Sequence, residues 1–193
     1  YAQIAEGRAE LTTQLAEVQS QKAALEIQVT MVADMLGTLW PQTEWNAYVQ
    51  VATDAYIPVI EAQTRGEDSS VAEGAVQDAV SDEETAFLTV FSTSVATAKE
   101  GIDYQIAALD PAAADYAEQV VALEMQKNQL DALPFQVQQM AHGLGKLQAT
   151  ELVLNAQMVL LDQQEQTAKE QFAAAWLEIG DGEAELAYGR KQL

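Results

Sequence analysis

Through the first 36 residues, apolar side chains recur every seven positions, at Ile4, Leu11, Val18, Leu25 and Val32. A second row lies four positions further on, at Arg8, Leu15, Lys22, Val29 and Leu36, and charge interrupts it twice. Two such rows form the a/d seam of a coiled-coil helix. At 1.5 Å per residue the predicted helix is about 54 Å long, and Gly37 and Pro41 end it.

The far end mirrors this pattern. Residues 135–193 contain no proline. One seven-residue row there holds Leu144, Glu151, Met158, Glu165, Phe172, Ile179, Leu186 and Leu193. The other holds Leu147, Leu154, Leu161, Ala168, Ala175, Gly182 and Gly189. Small residues along a seam let two helices approach closely, which is the expected reason for Gly180, Gly182 and Gly189 inside a helix, where each costs about 1 kcal/mol relative to alanine. The two heptad helices are expected to zip together antiparallel, 1–36 against 147–193, bringing Tyr1 and Leu193 to one end. The residues expected to pack the stalk are Ile4, Gly7, Leu11, Leu15, Val18, Leu25, Phe172, Ala175, Ile179, Gly182, Leu186 and Gly189.

Between the two lie shorter segments. Trp45, Val49, Ala52, Tyr56 and Ile60 stand at helical spacing over 43–63, with a bend expected at Pro58. The polar stretch 65–81 predicts a loop or short helix. Ser81 with Glu84 has the spacing of a capping box opening a helix through Leu88, Phe91, Val95, Ala98, Ile102, Ile106 and Leu109. Asp110-Pro111 predicts a cap with proline in the first turn, and Pro134 the end of the helix carrying Tyr116, Val120, Leu123 and Leu130. No stretch alternates at period two, so no sheet is expected. The fold class that follows is all-α: a long antiparallel coiled-coil hairpin (1–36 and 147–193) capped by a small helical bundle (37–146), with the tryptophans serving the packing.

Charge narrows the partners. Thirty acidic and 9 basic residues leave a formal net charge of −21. Such a surface repels phosphate backbones and anionic lipid, which excludes nucleic acid and leaves a cationic peptide open. The chain has no cysteine. Its longest purely apolar run, Phe172 to Leu177, is far short of the roughly 20 residues that span a bilayer. Tyr1 falls inside a heptad and Leu193 on a seam position, so both ends read as boundaries within a longer polypeptide.

Candidate chemistry is sparse. His142, the only histidine, sits in His142-Gly143-Leu144-Gly145 and reads as a surface or hinge residue without a nucleophile beside it. Glu67, Asp68, Glu73, Asp78, Asp82, Glu83 and Glu84 form an acidic cluster lacking the loop spacing of a calcium hand. It reads as a solvated face, with docking of a cationic partner as the alternative. Trp40 and Trp45 are core filler or an exposed aromatic patch, and Met31 and Met35 are core filler. The surface to consider for a partner is therefore Trp40, Trp45, Glu67, Asp68, Asp82, Glu83 and Glu84. Glu151 and Glu165 lack the Glu-x-x-His pairs of bundle metal sites and read as register-setting or solvent-facing. No catalytic residue, cofactor or metal is expected, and no enzyme.

The terminal motifs carry a resemblance. Ile4-Ala-Glu-Gly-Arg-Ala-Glu-Leu11 and Ile179-Gly-Asp-Gly-Glu-Ala-Glu-Leu-Ala-Tyr-Gly-Arg-Lys-Gln-Leu193 resemble the repeated glycine–leucine heptads of extracytoplasmic inserts in FtsX-like (MacB-type) ABC-transporter permeases. The resemblance covers roughly residues 1–30 and 170–193. It implies an insert between two transmembrane helices of the same polypeptide, on the extracytoplasmic side of the cell membrane, moved by a separate cytoplasmic ATPase. It further implies docking of an extracellular protein or peptide and leaves a homodimer open. Phage-infection-protein (YhgE/Pip) membrane proteins carry similar heptads, and a structural coiled-coil adaptor or scaffold is the remaining alternative.

Overall fold

A computed structural model describes residues 2–192. The chain runs through α1 (Ala2–Leu36), a short 3-10 turn (Gly37–Leu39), α2 (Gln42–Thr64), α3 (Ser70–Ala107) and α4 (Tyr116–Gln192). No strand occurs among the described residues. The protein is all-α, as the periodicity predicts.

Two compact units divide the chain: Tyr1–Glu17 with Leu154–Leu193, and Val18–Val153. In the larger unit, Val29, Val32 and Leu36 of α1 are buried with Trp45, Tyr48 and Val49 of α2, Phe87 and Phe91 of α3, and Leu133, Val137 and Leu144 of α4. The aromatic centre of this core is tight. Trp40 and Trp45 lie 5.4 Å apart by ring centroid, and Phe87 and Phe91 stack at 5.3 Å. Gly37, with φ of +55°, lets the chain leave α1 through a conformation that L side chains resist.

In the smaller unit two antiparallel helical segments pair. A Cβ on Gly7 would stand 3.6 Å from Leu161 Cδ1. The half-buried positions include Ile4, Gly7, Arg8, Leu11 and Leu15 of α1 and Met158, Leu161, Glu165 and Ala168 of α4, and Leu154 is buried. This is the predicted seam.

In this register Arg8 faces Glu165, and Ala2, six residues earlier, falls opposite about residue 171. Phe172, Ala175, Ile179 and Leu186 are exposed. Gly182 is half-buried, and a Cβ there or at Gly180 would meet nothing within 4 Å. Trp176 is 70% exposed and serves no core. Tyr1 and Leu193 lie outside the described residues, and so does the environment of Gly189.

Local punctuation also yields to burial. Helix α3 begins at Ser70, eleven residues before Ser81, because Val76 and Val80 continue its buried stripe backwards. Asp68 Oδ1 accepts the Ser70 N–H at 2.9 Å and closes that end. Ser81 donates instead to the Asp78 carbonyl within the helix. Asp110 does accept the Ala112 N–H at 2.9 Å, but the turn it closes does not propagate, and α4 starts at Tyr116. Pro134 does not end that helix. It costs about 3 kcal/mol in a helix interior, yet Leu130, Leu133 and Val137 around it are buried at helical spacing and hold the helix straight through.

Candidate functional site

The predicted partner surface does not assemble. Trp45 is buried and Trp40 half-buried, both in the aromatic core. Glu67 pairs with Arg65 at 2.9 Å, and that hydrogen bond together with the guanidinium charge holds its carboxyl below the ordinary value. Asp68 is occupied by the Ser70 backbone. Asp82 is exposed and Glu83 half-buried on the solvated side of α3. Glu84 departs from the cluster entirely and turns inward, its side chain 12% exposed.

Glu84 is the hub of a polar network at the centre of the larger unit. Tyr48 Oη donates to its Oε2 at 2.9 Å, and Gln138 Nε2 donates to Oε1 at 2.7 Å. His142 Nε2 lies 3.3 Å from Oε2, and Tyr56 Oη lies 3.4 Å from His142 Nδ1. A histidine protonated on Nε2 satisfies both contacts, donating to Glu84 and accepting from Tyr56. Burial opposes ionisation of Glu84, but hydrogen bonds from Tyr48, His142 and Gln77 outweigh it and hold the carboxyl below its ordinary value. The same burial, reinforced by the Glu84 charge, pushes the Tyr48 hydroxyl well above the usual phenol range. His142 is thus neither a surface nor a hinge residue. The two glycines that follow it serve close approach: a Cβ at Gly145 would stand 2.6 Å from Ala52 Cβ, and one at Gly143 would stand 2.9 Å from Leu25 Cδ2.

Charged interruptions of the two seams meet each other. In the larger unit Lys22 Nζ donates to Glu151 Oε2 at 2.8 Å, and Gln19 donates to the other carboxylate oxygen at 3.2 Å. In the smaller unit Arg8 bonds Glu165 at 2.8 Å and also Asp162. Each cation of α1 therefore faces a carboxylate of α4, and the two pairs share the same fourteen-residue spacing on both helices. Hydrogen bonds from Lys22 and Gln19 lower the Glu151 carboxyl; a bond from Lys169, then its charge, lowers that of Glu165. From the sequence, Arg8 and Lys22 are interruptions of the seam, and Glu151 and Glu165 are register-setting or solvent-facing. Paired, they specify its register.

Met31 and Met35 are not core filler: they are 64% and 44% exposed and border a trough between α1 and α4. No cluster of three or more metal-ligating side chains occurs among the described residues, and no described helix is long and apolar enough to cross a membrane. Comparison with known protein families, with curated proteins and with solved structures finds no match.

Proposed function

We propose that this chain is the extracytoplasmic domain of an FtsX-like ABC-transporter permease, a non-enzymatic coupling element that passes ATPase-driven motion of membrane helices to a docked extracellular partner. The observation carrying this reading is the charge-keyed antiparallel register of α1 and α4. An element that transmits displacement has to resist sliding of its two helices, and a slip of one heptad would set Lys22 against Leu144 or Met158 and Arg8 against Met158 or Phe172. Each alternative strips water from a cation and returns no carboxylate.

The test uses the parental reading frame. A hydrophobic span of about 20 residues ahead of this segment, and others after it, are expected, with an ATPase that copurifies. Gly7→Cys with Leu161→Cys, in a chain free of other cysteines, should cross-link, leave ATP hydrolysis intact and abolish the transport output. Missing spans, or unchanged output with the cross-link formed, would refute the reading.

A further inference from the structure

The trough flanked by Met31 and Met35 has a regular build. It lies within the larger unit, holds about 690 Å³, and is walled by α1 on one side and α4 on the other. The α1 wall is Leu25, Gln28, Met31, Val32 and Met35; the α4 wall is Leu133, Gln136, Gln139, Met140 and Gly143. Within each wall one row steps by three, four and three residues, with Met31 and Gln139 beside it. That is the a/d spacing of a helical seam, repeated on two antiparallel helices that already use their inner faces for the core. Leu133 and Val32 are buried in the floor, whereas the methionines stand open to solvent. Ten residues of helix give a trough about 15 Å long, or close to three turns.

We infer that this trough is a docking groove for a cationic amphipathic helix of a partner protein. Its length and its two a/d-spaced walls fit apolar side chains at i, i+3 or i+4, and i+7 of an incoming helix. Methionine's flexible, polarisable side chain suits a wall that must adapt to its guest. Gln28 and Gln136 offer amides to a polar flank without imposing charge. The walls contain no charged residue. Asp34 lies one turn from Met31, Lys22 one turn from Leu25 and Lys146 one turn from Gly143, so the immediate rim carries both signs. The sign of the guest is set by the whole chain: a net charge of −21 attracts a basic helix over long range and repels an acidic one. A second copy of this chain brings the same −21 and is disfavoured as the occupant. The inference is independent of whether the chain is rooted in a membrane.

Two dye-labelled synthetic helices with identical leucine faces test it, one with lysine and one with glutamate on the polar face, titrated against the full chain by fluorescence anisotropy. The lysine helix is expected to bind about tenfold or more tightly than the glutamate helix at low salt, with the gap closing as salt is added. Met31→Gln with Met35→Gln, at solvent-exposed positions that leave the helical circular dichroism unchanged, should weaken it about tenfold. Val71→Gln, on an exposed face of α3, should not. Equal binding of the two helices, no binding of the lysine helix, or binding unaffected by the methionine pair would overturn the inference. So would a dimer, seen by sedimentation of the chain alone, that the methionine substitutions dissolve.

Discussion

Reversing one charge of the Lys22–Glu151 pair should destabilise the larger unit, and reversing both should largely repair it. The two side chains are 26% and 21% exposed, with Nζ and Oε2 at 2.8 Å. At an effective dielectric of about 20 that separation corresponds to about 6 kcal/mol of attraction before desolvation. Withdrawing both groups from water offsets most of it, while fully exposed pairs retain about 0.2–1 kcal/mol. A coupling of about 1–2 kcal/mol follows for a pair largely shielded from solvent. Glu151→Lys then loses that coupling and sets two ammonium groups together, for a total of about 2–3 kcal/mol. Lys22→Glu opposes two carboxylates with a similar result. The double swap restores the pair but not the Gln19 hydrogen bond to Glu151, so it should return to within about 1 kcal/mol of the parent. Urea titrations at low salt, followed by far-UV circular dichroism, give all four corners of the cycle. A coupling energy below about 0.3 kcal/mol would mean that the pair is ornamental and that the apolar seam alone sets the register.

Three further outcomes follow from the same geometry. Gly145→Ala drives a Cβ to 2.6 Å from Ala52 Cβ and 2.8 Å from the Ala52 backbone carbon. The overpacking cost of about 1–3 kcal/mol should exceed the helical gain of about 1 kcal/mol; Gly180→Ala, with open space around it, should stabilise the chain or leave it unchanged in the same denaturation assay. The Glu84 carboxyl is held below its ordinary value of 4.5, so its contribution is full above that pH and is lost as the pH falls through the lowered folded-state value. Glu84→Gln should therefore flatten the acid limb of a stability–pH profile, and an unchanged limb would remove Glu84 from the account. Acrylamide should quench Trp176, which is 70% exposed, far more than Trp45, which is 5% exposed; Trp176→Phe should abolish the readily quenched fraction of the emission.

The heptad rows of α1 were legible in full, because a seam residue announces itself by period alone. Every seam position from Ile4 to Leu36 is half-buried or buried. The rows of α4 were equally legible as helix, but their register against α1 was not, because an apolar heptad row looks much the same after a slip of seven residues. Breakers were the least informative signal. Ser81 and Pro134 each carry a correct local preference worth about 1–3 kcal/mol, and at each the burial of neighbouring valines and leucines along a continuous helical stripe decided otherwise; at Pro111 the turn forms but no helix grows from it.

Most hidden was the Glu84 network. A glutamate within an acidic run on α3, a histidine followed by glycines on α4 and two tyrosines two turns apart on α2 lie on three different helices, so nothing local marks them as neighbours. By itself, then, the order of residues determined the helices, their amphipathic faces and the four charged interruptions of the seam, since each rests on interactions within a few turns of one helix. Tertiary structure alone decided which interruptions pair and which polar groups go inside. Those outcomes depend on burial summed over several helices, and a residue feels that sum only once the chain has closed on itself.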